Sequence, residues 1–177
     1  MNETEMLAEF QRLKNICIDR HKNGRDAHGA WNKCLGDITS CLFSHCIIES
    51  VKKKYDISRS NSFIEGFSYE FDLLILKKGA MPYEFTSIYK PKDVVCCMEF
   101  KSYAPFKNNA QLEEYGNKFK RMLKSLRRVN NSIKIIYLTM IISERRFDNV
   151  KRFFSPDIEC FRIGDDTWSD LIKTIVF

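Results

Sequence analysis

An α/β fold is predicted for this sequence, a single domain over residues 1–177 with a central mixed β-sheet flanked by helices, and three observations predict it. Two nearly all-apolar segments, Tyr69–Leu76 and Val94–Lys101, have the length and composition of interior strands covered on both faces. Longer segments before and after them carry apolar residues at helical spacing. Beyond Lys101 the order runs strand, helix, strand, which implies a right-handed parallel crossover. The 177 residues, 44% hydrophobic and 13% aromatic, suffice for one substantial core and fall short of two ordinary domains. A helical N-terminal part (1–55) thus precedes a sheet core (56–177).

From Asn2 to about Arg20, the residues Met6, Leu7, Phe10, Leu13, Ile16 and Cys17 recur at helical spacing, with Asn2 or Thr4 as the cap. The polar stretch His21–His28 turns the chain into a second helix over about Ala30–Tyr55, whose stripe runs through Trp31, Cys34, Leu35, Ile38, Cys41, Leu42, His45, Cys46, Ile48 and Val51. Asp56–Ser68, rich in Ser, Asn and charge, reads as an irregular passage with room for an edge strand. Tyr69–Leu76 is the first interior strand, and Lys77-Lys78-Gly79 ends it. The long connection Pro82–Asp93 carries Tyr83, Phe85 and Tyr89 beside Lys90 and Lys92, a mixture suited to base stacking or to covering a hairpin. Val94–Lys101 completes that hairpin, and Pro105 turns the chain into a helix over about Asn108–Val129 with its stripe at Leu112, Tyr115, Phe119, Met122, Leu123 and Leu126. Ile133–Ile142 is a further buried strand, Ser143–Phe154 a short helix, Ile158–Ile163 a short strand, and Thr167–Val176 a last helix capped by Asp165 or Asp166.

Side chains alternate along a strand, so Glu99 and Lys101 share a face, about 7 Å apart along it. Asp72, Glu99 and Lys101 all fall in segments that ought to be buried, where a charge is costly unless it is paired or holds an ion. Two carboxylates on successive strands offer the hard oxygen donors that Mg²⁺ accepts. This arrangement, Asp72 and then Glu99-Phe100-Lys101, resembles the signature of the PD-(D/E)XK nuclease superfamily over roughly residues 40–142, with Phe71 in place of the Pro that precedes the Asp in many members. Gln111-Leu112-Glu113-Glu114-Tyr115, on the helix that follows, is similar to the Gln-x-x-x-Tyr element of the exonuclease-type subgroup.

The resemblance implies a restriction-endonuclease-like fold and a Mg²⁺-dependent nuclease, with Mn²⁺ as a substitute ion, that hydrolyses phosphodiester bonds, foremost in DNA. It implies that Asp72, Glu99 and the main-chain carbonyl of Phe100 bind metal, that Lys101 acts on the attacking water, and that Glu49 completes the shell. Gln111 and Tyr115 are then expected to contact the nucleic acid. Glu49 has a simpler reading as well, since Lys52 and Lys53 lie three and four residues on and can pair with it on a solvent-facing surface. Lys118, Lys120, Arg121, Lys124, Arg127 and Arg128 form the outer side of the same helix as Gln111, either a phosphate-binding flank or a solvated face. The alternative to catalysis is a nucleic-acid- or protein-binding module on the same fold, in which Lys101 is a structural ion-pair partner of Glu99 or Asp72.

Composition bounds the rest. A net charge of +6, from 29 basic and 23 acidic residues, is compatible with a polyanionic partner. Seven cysteines with no C-x-x-C pair, and only three histidines, suggest neither a zinc ribbon nor a redox dithiol. The odd cysteine count and the lack of a signal peptide point to a reducing cytoplasm. The longest uninterrupted apolar run, in Ile135–Ile142, is strand-sized, so no membrane partner is expected. Target specificity is expected from loops, a homodimer or a partner protein, because the length leaves no room for a separate recognition domain.

Overall fold

The N-terminal stripes form a helical hairpin: α1 spans Glu3–His21 and α2 spans Ala27–Val51. The computed structural model describes residues 3–21, 27–58, 61–103, 108–141, 143–164 and 167–177. Asn2 and the caps expected at Asp165 or Asp166 lie outside them. Met6 and Phe10 of α1, with Leu35, Phe43, Cys46 and Ile47 of α2, are buried, whereas Cys41 and His45, expected in the stripe, are exposed: the buried face of α2 turns toward Phe43 and Ile47, which pack against the sheet. By length and mean hydropathy (1.2), Lys33–Val51 resembles a membrane-crossing helix, a feature that a search for uninterrupted apolar runs overlooks. Its apolar side lies in the core of this fold.

α2 ends at Val51, short of the expected Tyr55. Three consecutive lysines, Lys52, Lys53 and Lys54, break the apolar stripe, and Tyr55 opens an edge strand, β1 (Tyr55–Ile57). Then come β2 (Ser62–Ile64), β3 (Glu70–Phe71), β4 (Leu73–Lys77), β5 (Ile88–Tyr89), a 3-10 turn at Pro91–Asp93 and β6 (Val94–Tyr103). α3 (Asn109–Val129), β7 (Lys134–Ile141), α4 (Glu144–Phe154), β8 (Glu159–Arg162) and α5 (Trp168–Val176) complete the chain. The five-stranded sheet is mixed, in the order β1-β4-β6-β7-β8, and a small second sheet has the order β3-β2-β5. β1 and β6 flank β4 antiparallel, while β6, β7 and β8 are parallel. The predicted hairpin and crossover are therefore both present.

One expected strand is two. Tyr69–Leu76 bends at Asp72, so that β3 belongs to the small sheet and β4 to the large one. In an unbroken strand Phe71 and Leu73 would share a face. Here Phe71 packs with Leu74 and Leu76 on one side of the large sheet, and Leu73 packs with Ile75 on the other. The bend shifts the alternation by one residue and leaves Asp72 at the joint.

Two layers cover the large sheet. Cys96, Met98 and Phe100 of β6, with Ile136, Leu138 and Met140 of β7, meet α1, α2 and α5, where Phe43 stands edge-on to Phe100 at a ring separation of 5.2 Å. Cys97, Ile135 and Tyr137 face the other way, toward Leu112, Phe119 and Leu123 of α3 and Val150 and Phe154 of α4. α3 and α4 approach closely at Gly116, where an added Cβ would stand 3.0 Å from the Phe154 ring and 3.2 Å from the Phe153 carbonyl oxygen. α3 begins at an Asn108 cap, whose side chain accepts from the Gln111 N–H at 3.0 Å.

Candidate active site

The joint between the two sheets is where the three predicted residues meet. Asp72 accepts a hydrogen bond from the Phe100 N–H at 2.6 Å, so a carboxylate takes a main-chain donor at the site of the bend. The Lys101 ammonium lies 4.0 Å from the same carboxylate oxygen and is ion-paired with Glu99 Oε1. Glu99 and Lys101 thus share a face of β6, as their spacing predicts, and the antiparallel neighbour brings Asp72 to them.

Glu99 is 5% exposed, and a carboxylate at that depth needs donors. The Tyr115 hydroxyl donates to Oε1 at 2.9 Å, and the Tyr69 hydroxyl donates to Oε2 at 3.3 Å. Burial, and after it the negative charge of Glu99, holds both phenols well above the ordinary tyrosine value, so they stay protonated as donors. Asp72 is pushed up to about 6, mainly by burial and then by the charge of Glu99, against the pull of Lys101 and the Phe100 N–H. At neutral pH it is mostly ionised, next to a second carboxylate, and the site draws in positive charge.

Two further hydroxyls border this group. Tyr137 and Thr139 of β7 stand in register with Glu99 and Lys101, and both are buried. Among the described residues neither the Tyr137 hydroxyl nor Thr139 Oγ1 has a hydrogen-bond partner. A buried hydroxyl left unpaired is costly, and a bound water commonly answers it.

Not all the predicted residues assemble. Glu49 is exposed and pairs with Lys52 at 2.6 Å. Its helix covers the sheet face opposite to Glu99, and the end that carries Glu49 lies by the far end of β4, where Lys78 donates to the Lys52 carbonyl at 3.1 Å. Gln111 is exposed in the first turn of α3, one turn before Tyr115. The expected cationic flank is divided by the helical period. Lys118 stands 5.0 Å over the Tyr69 ring. Arg121 and Lys124 line a groove of about 550 Å³ on the other flank with Asn117, Lys120, Arg127 and Asp157. In that groove Arg127 is 3.6 Å from Asp157 and Lys120 donates to the Ser155 carbonyl at 3.3 Å. Tyr69 was not among the predicted site residues. The available signal was a tyrosine leading into an apolar strand, whose hydroxyl, once buried, must find a partner.

The donor set can be tested against a metal. Among the described residues no group of three or more His, Cys, Asp or Glu side chains gathers, so the donors on offer are the Asp72 and Glu99 carboxylates and nearby main-chain oxygens. That set fits Mg²⁺, which takes one or two carboxylates and keeps several waters. The Lys101 ammonium already bridges the two acids, and a divalent cation would compete with it for their charge.

No family model matches the chain, and no curated protein matches it in sequence. Solved structures do match in shape. The Type IIF restriction endonuclease Bse634I with cognate DNA aligns at a TM-score of 0.59 and 11% identity over 99% of this chain and 86% of that one. NucC of P. aeruginosa ATCC27853, in its cAAA-bound form, aligns at 0.56 and 12% identity over 89% of this chain and 72% of that one. The cAAA-bound NucC of E. coli MS115-1 aligns at 0.51 and 16% identity, over 86% and 72%. The mixed sheet, its flanking helices and these alignments give the chain a restriction-endonuclease-like fold.

Proposed function

We propose that this chain is a divalent-metal-dependent nuclease that hydrolyses phosphodiester bonds in DNA through Asp72, Glu99 and Lys101. The observation that carries this reading is the convergence of two carboxylates and an ammonium at the joint of the two sheets. The likeness to a restriction endonuclease solved with its DNA supports it. Asp72, Glu99 and the Phe100 carbonyl would hold Mg²⁺, or Mn²⁺ in its place. When bound, the ion supplies a polarised phosphoryl oxygen and a water of lowered pKa.

The chain's own residues divide the remaining work. Lys101, 28% exposed at its side chain, reaches the surface of the site and donates to a phosphate oxygen, where charge develops as the bond breaks. Tyr69 and Tyr115 fix the Glu99 carboxylate and act through it as positioning residues. Gln111, exposed one turn from Tyr115, contacts the strand being cut, in keeping with the Gln-x-x-x-Tyr resemblance. Arg121 and Lys124 bind phosphates in their groove, and Lys118 does so beside Tyr69. The cysteines stand as thiols and form no disulfide, which fits a reducing cytoplasm. The test is digestion of linear, circular and single-stranded DNA with Mn²⁺, together with calorimetry of Mn²⁺ binding. Cutting and binding that both vanish in Asp72→Ala support the reading; an intact, folded chain that binds no divalent ion sinks it.

The direct Lys101–Glu99 ion pair favours a second reading, a nucleic-acid- or protein-binding module in which the three charges only neutralise one another. DNA binding that is indifferent to divalent ions, with no cutting of any substrate, decides for it.

A further inference from the structure

The connection between β4 and β5 displays apolar side chains that the fold leaves uncovered. Met81 is 76% exposed, Tyr83 is 40% exposed and Phe85 is wholly exposed. Phe85 has φ +57°, a left-handed conformation that a bulky side chain rarely adopts and that opposes folding. The turn is nevertheless held firmly. The Tyr83 N–H donates to the Ile88 carbonyl at 3.0 Å and the Thr86 N–H to the Tyr83 carbonyl at 3.0 Å. The Thr86 hydroxyl donates to the Tyr83 carbonyl at 2.8 Å and accepts from the Ile88 N–H at 3.2 Å. Tyr83 is further held by the Lys90 ammonium 5.7 Å over its ring.

Its place in the fold ties this turn to the candidate site. The Ser87 carbonyl accepts from the Phe63 N–H on β2, and Ser62 of β2 is opposite Phe71 of β3, the residue before Asp72. Two strand spacings, about 10 Å, therefore separate the root of the turn from the catalytic joint. On leaving the turn the chain carries Lys90, whose ammonium lies over the Tyr83 ring, and Lys92; Lys78, at the far end of β4, is paired with Asp56. The exposed patch is three side chains, far below the 20–30 residues a side of an ordinary protein interface. A small apolar point in a basic surround is the form of a wedge against stacked bases.

We propose that the Met81–Phe85 turn is a second nucleic-acid contact, in which Phe85 stacks on or inserts between bases next to the bond being cut and Lys90 and Lys92 meet the phosphates. The proposal rests on the nuclease reading above. Base contact through an aromatic face tolerates many sequences, so the turn distorts or grips the strand without reading a particular base.

The test uses the full chain with Ca²⁺ to block cutting and short DNA carrying 2-aminopurine, as duplex and as single strand. Wild-type protein is expected to change the probe's fluorescence, upward if a duplex base is unstacked and downward if a single-stranded base stacks on the ring. Phe85→Asn, a residue at home at positive φ, is expected to raise the melting temperature, lose that fluorescence change and weaken binding about tenfold with an unaltered salt slope. A variant that gains stability while losing affinity cannot be dismissed as misfolded. Undiminished fluorescence change and affinity in Phe85→Asn overturn the proposal. So does a variant that binds DNA normally but shifts the protein's sedimentation, which assigns the turn to contact with a second copy. Wild-type protein that binds neither probe refutes the nuclease reading itself, a separate failure.

Discussion

The two sides of the large sheet are built from the same strands and are used differently. On β6 the even positions Cys96, Met98 and Phe100 are apolar and vanish under α1, α2 and α5; the odd positions pass from Cys97 to Glu99 and Lys101. β7 follows suit, with Ile136, Leu138 and Met140 on one side and Tyr137 and Thr139 on the other. The helical layers match their faces. α3 and α4 together carry ten Lys and Arg against four Asp and Glu, whereas α1, α2 and α5 carry five against seven. Cations therefore gather on the side of the buried acids, where they complement those acids and a polyanionic ligand alike, and the other side is left to hold the fold together. Period-two alternation allows one strand to serve both ends without compromise.

The strongest way to break this comparison is to substitute neighbours on opposite faces. Lys101→Ala is expected to lower cleavage by about 10²–10⁴-fold with little change in melting, because the proposed mechanism has its ammonium act on the reacting phosphate. Met98→Ala, on the apolar side, is expected to cost about 2–5 kcal/mol of stability and to leave turnover per folded molecule unchanged. Chemical denaturation with parallel cleavage assays separates the two effects, and a Lys101→Ala protein that cuts at the wild-type rate contradicts the division of labour.

A smaller effect tests the polar face alone. Folded Asp72 holds its proton more tightly than the unfolded chain does, with a value near 6 against an ordinary 3.8. Stability from this group is therefore lost as pH rises from about 4 to about 6, and stays lost above. Asp72→Asn, measured in EDTA, is expected to be more stable than wild type by about 3 kcal/mol at pH 7.5, with the gain shrinking to nothing near pH 4. Melting curves across that range check it; a variant that melts lower at pH 7.5 marks Asp72 as a structural partner of Lys101. Metal affinity is expected to fall through the same window as the carboxylate takes up its proton.

The two helical layers can be set against each other by salt. Arg121→Ala with Lys124→Ala is expected to reduce the slope of log affinity against log salt by about 1–2 units on duplex DNA, while Lys14→Ala with Lys33→Ala leaves it unchanged. Equal slopes in the two double variants place the α3 groove outside the interface. The smallest effect is expected at Glu49→Ala, where an exposed pair with Lys52 is removed from the wrong side of the sheet. Turnover and metal binding should not move, and a loss of either restores Glu49 to the metal shell.

Much of this was legible from spacing alone. Apolar periodicity places α1, α3, α4, β6 and β7 within a few residues of their ends, because burial of one face is a local pattern repeated many times. The common face of Glu99 and Lys101 follows from the two-residue repeat in the same way. Three features escaped it: the break at Asp72, the edge strand at Tyr55–Ile57 and the placement of Glu49. A three-residue strand gives too few repeats to show a period.

By itself the sequence determined where the helices and interior strands lie, which strand carries the acid–lysine pair and that the later strands run parallel, since each is written in the order and period of neighbouring residues. Only the tertiary structure decided which distant groups meet. Tyr69 and Tyr115 reach Glu99 from thirty residues before and sixteen after, and Asp72 reaches the Phe100 amide because the chain changes sheets there. Such contacts depend on the pairing of β4 with β6 and on the depth at which α3 settles against the sheet, neither of which leaves a repeating trace in the chain. The physical reason is that alternation fixes a direction for each side chain, whereas a hydrogen bond requires a position, and positions are set only when separate elements have packed.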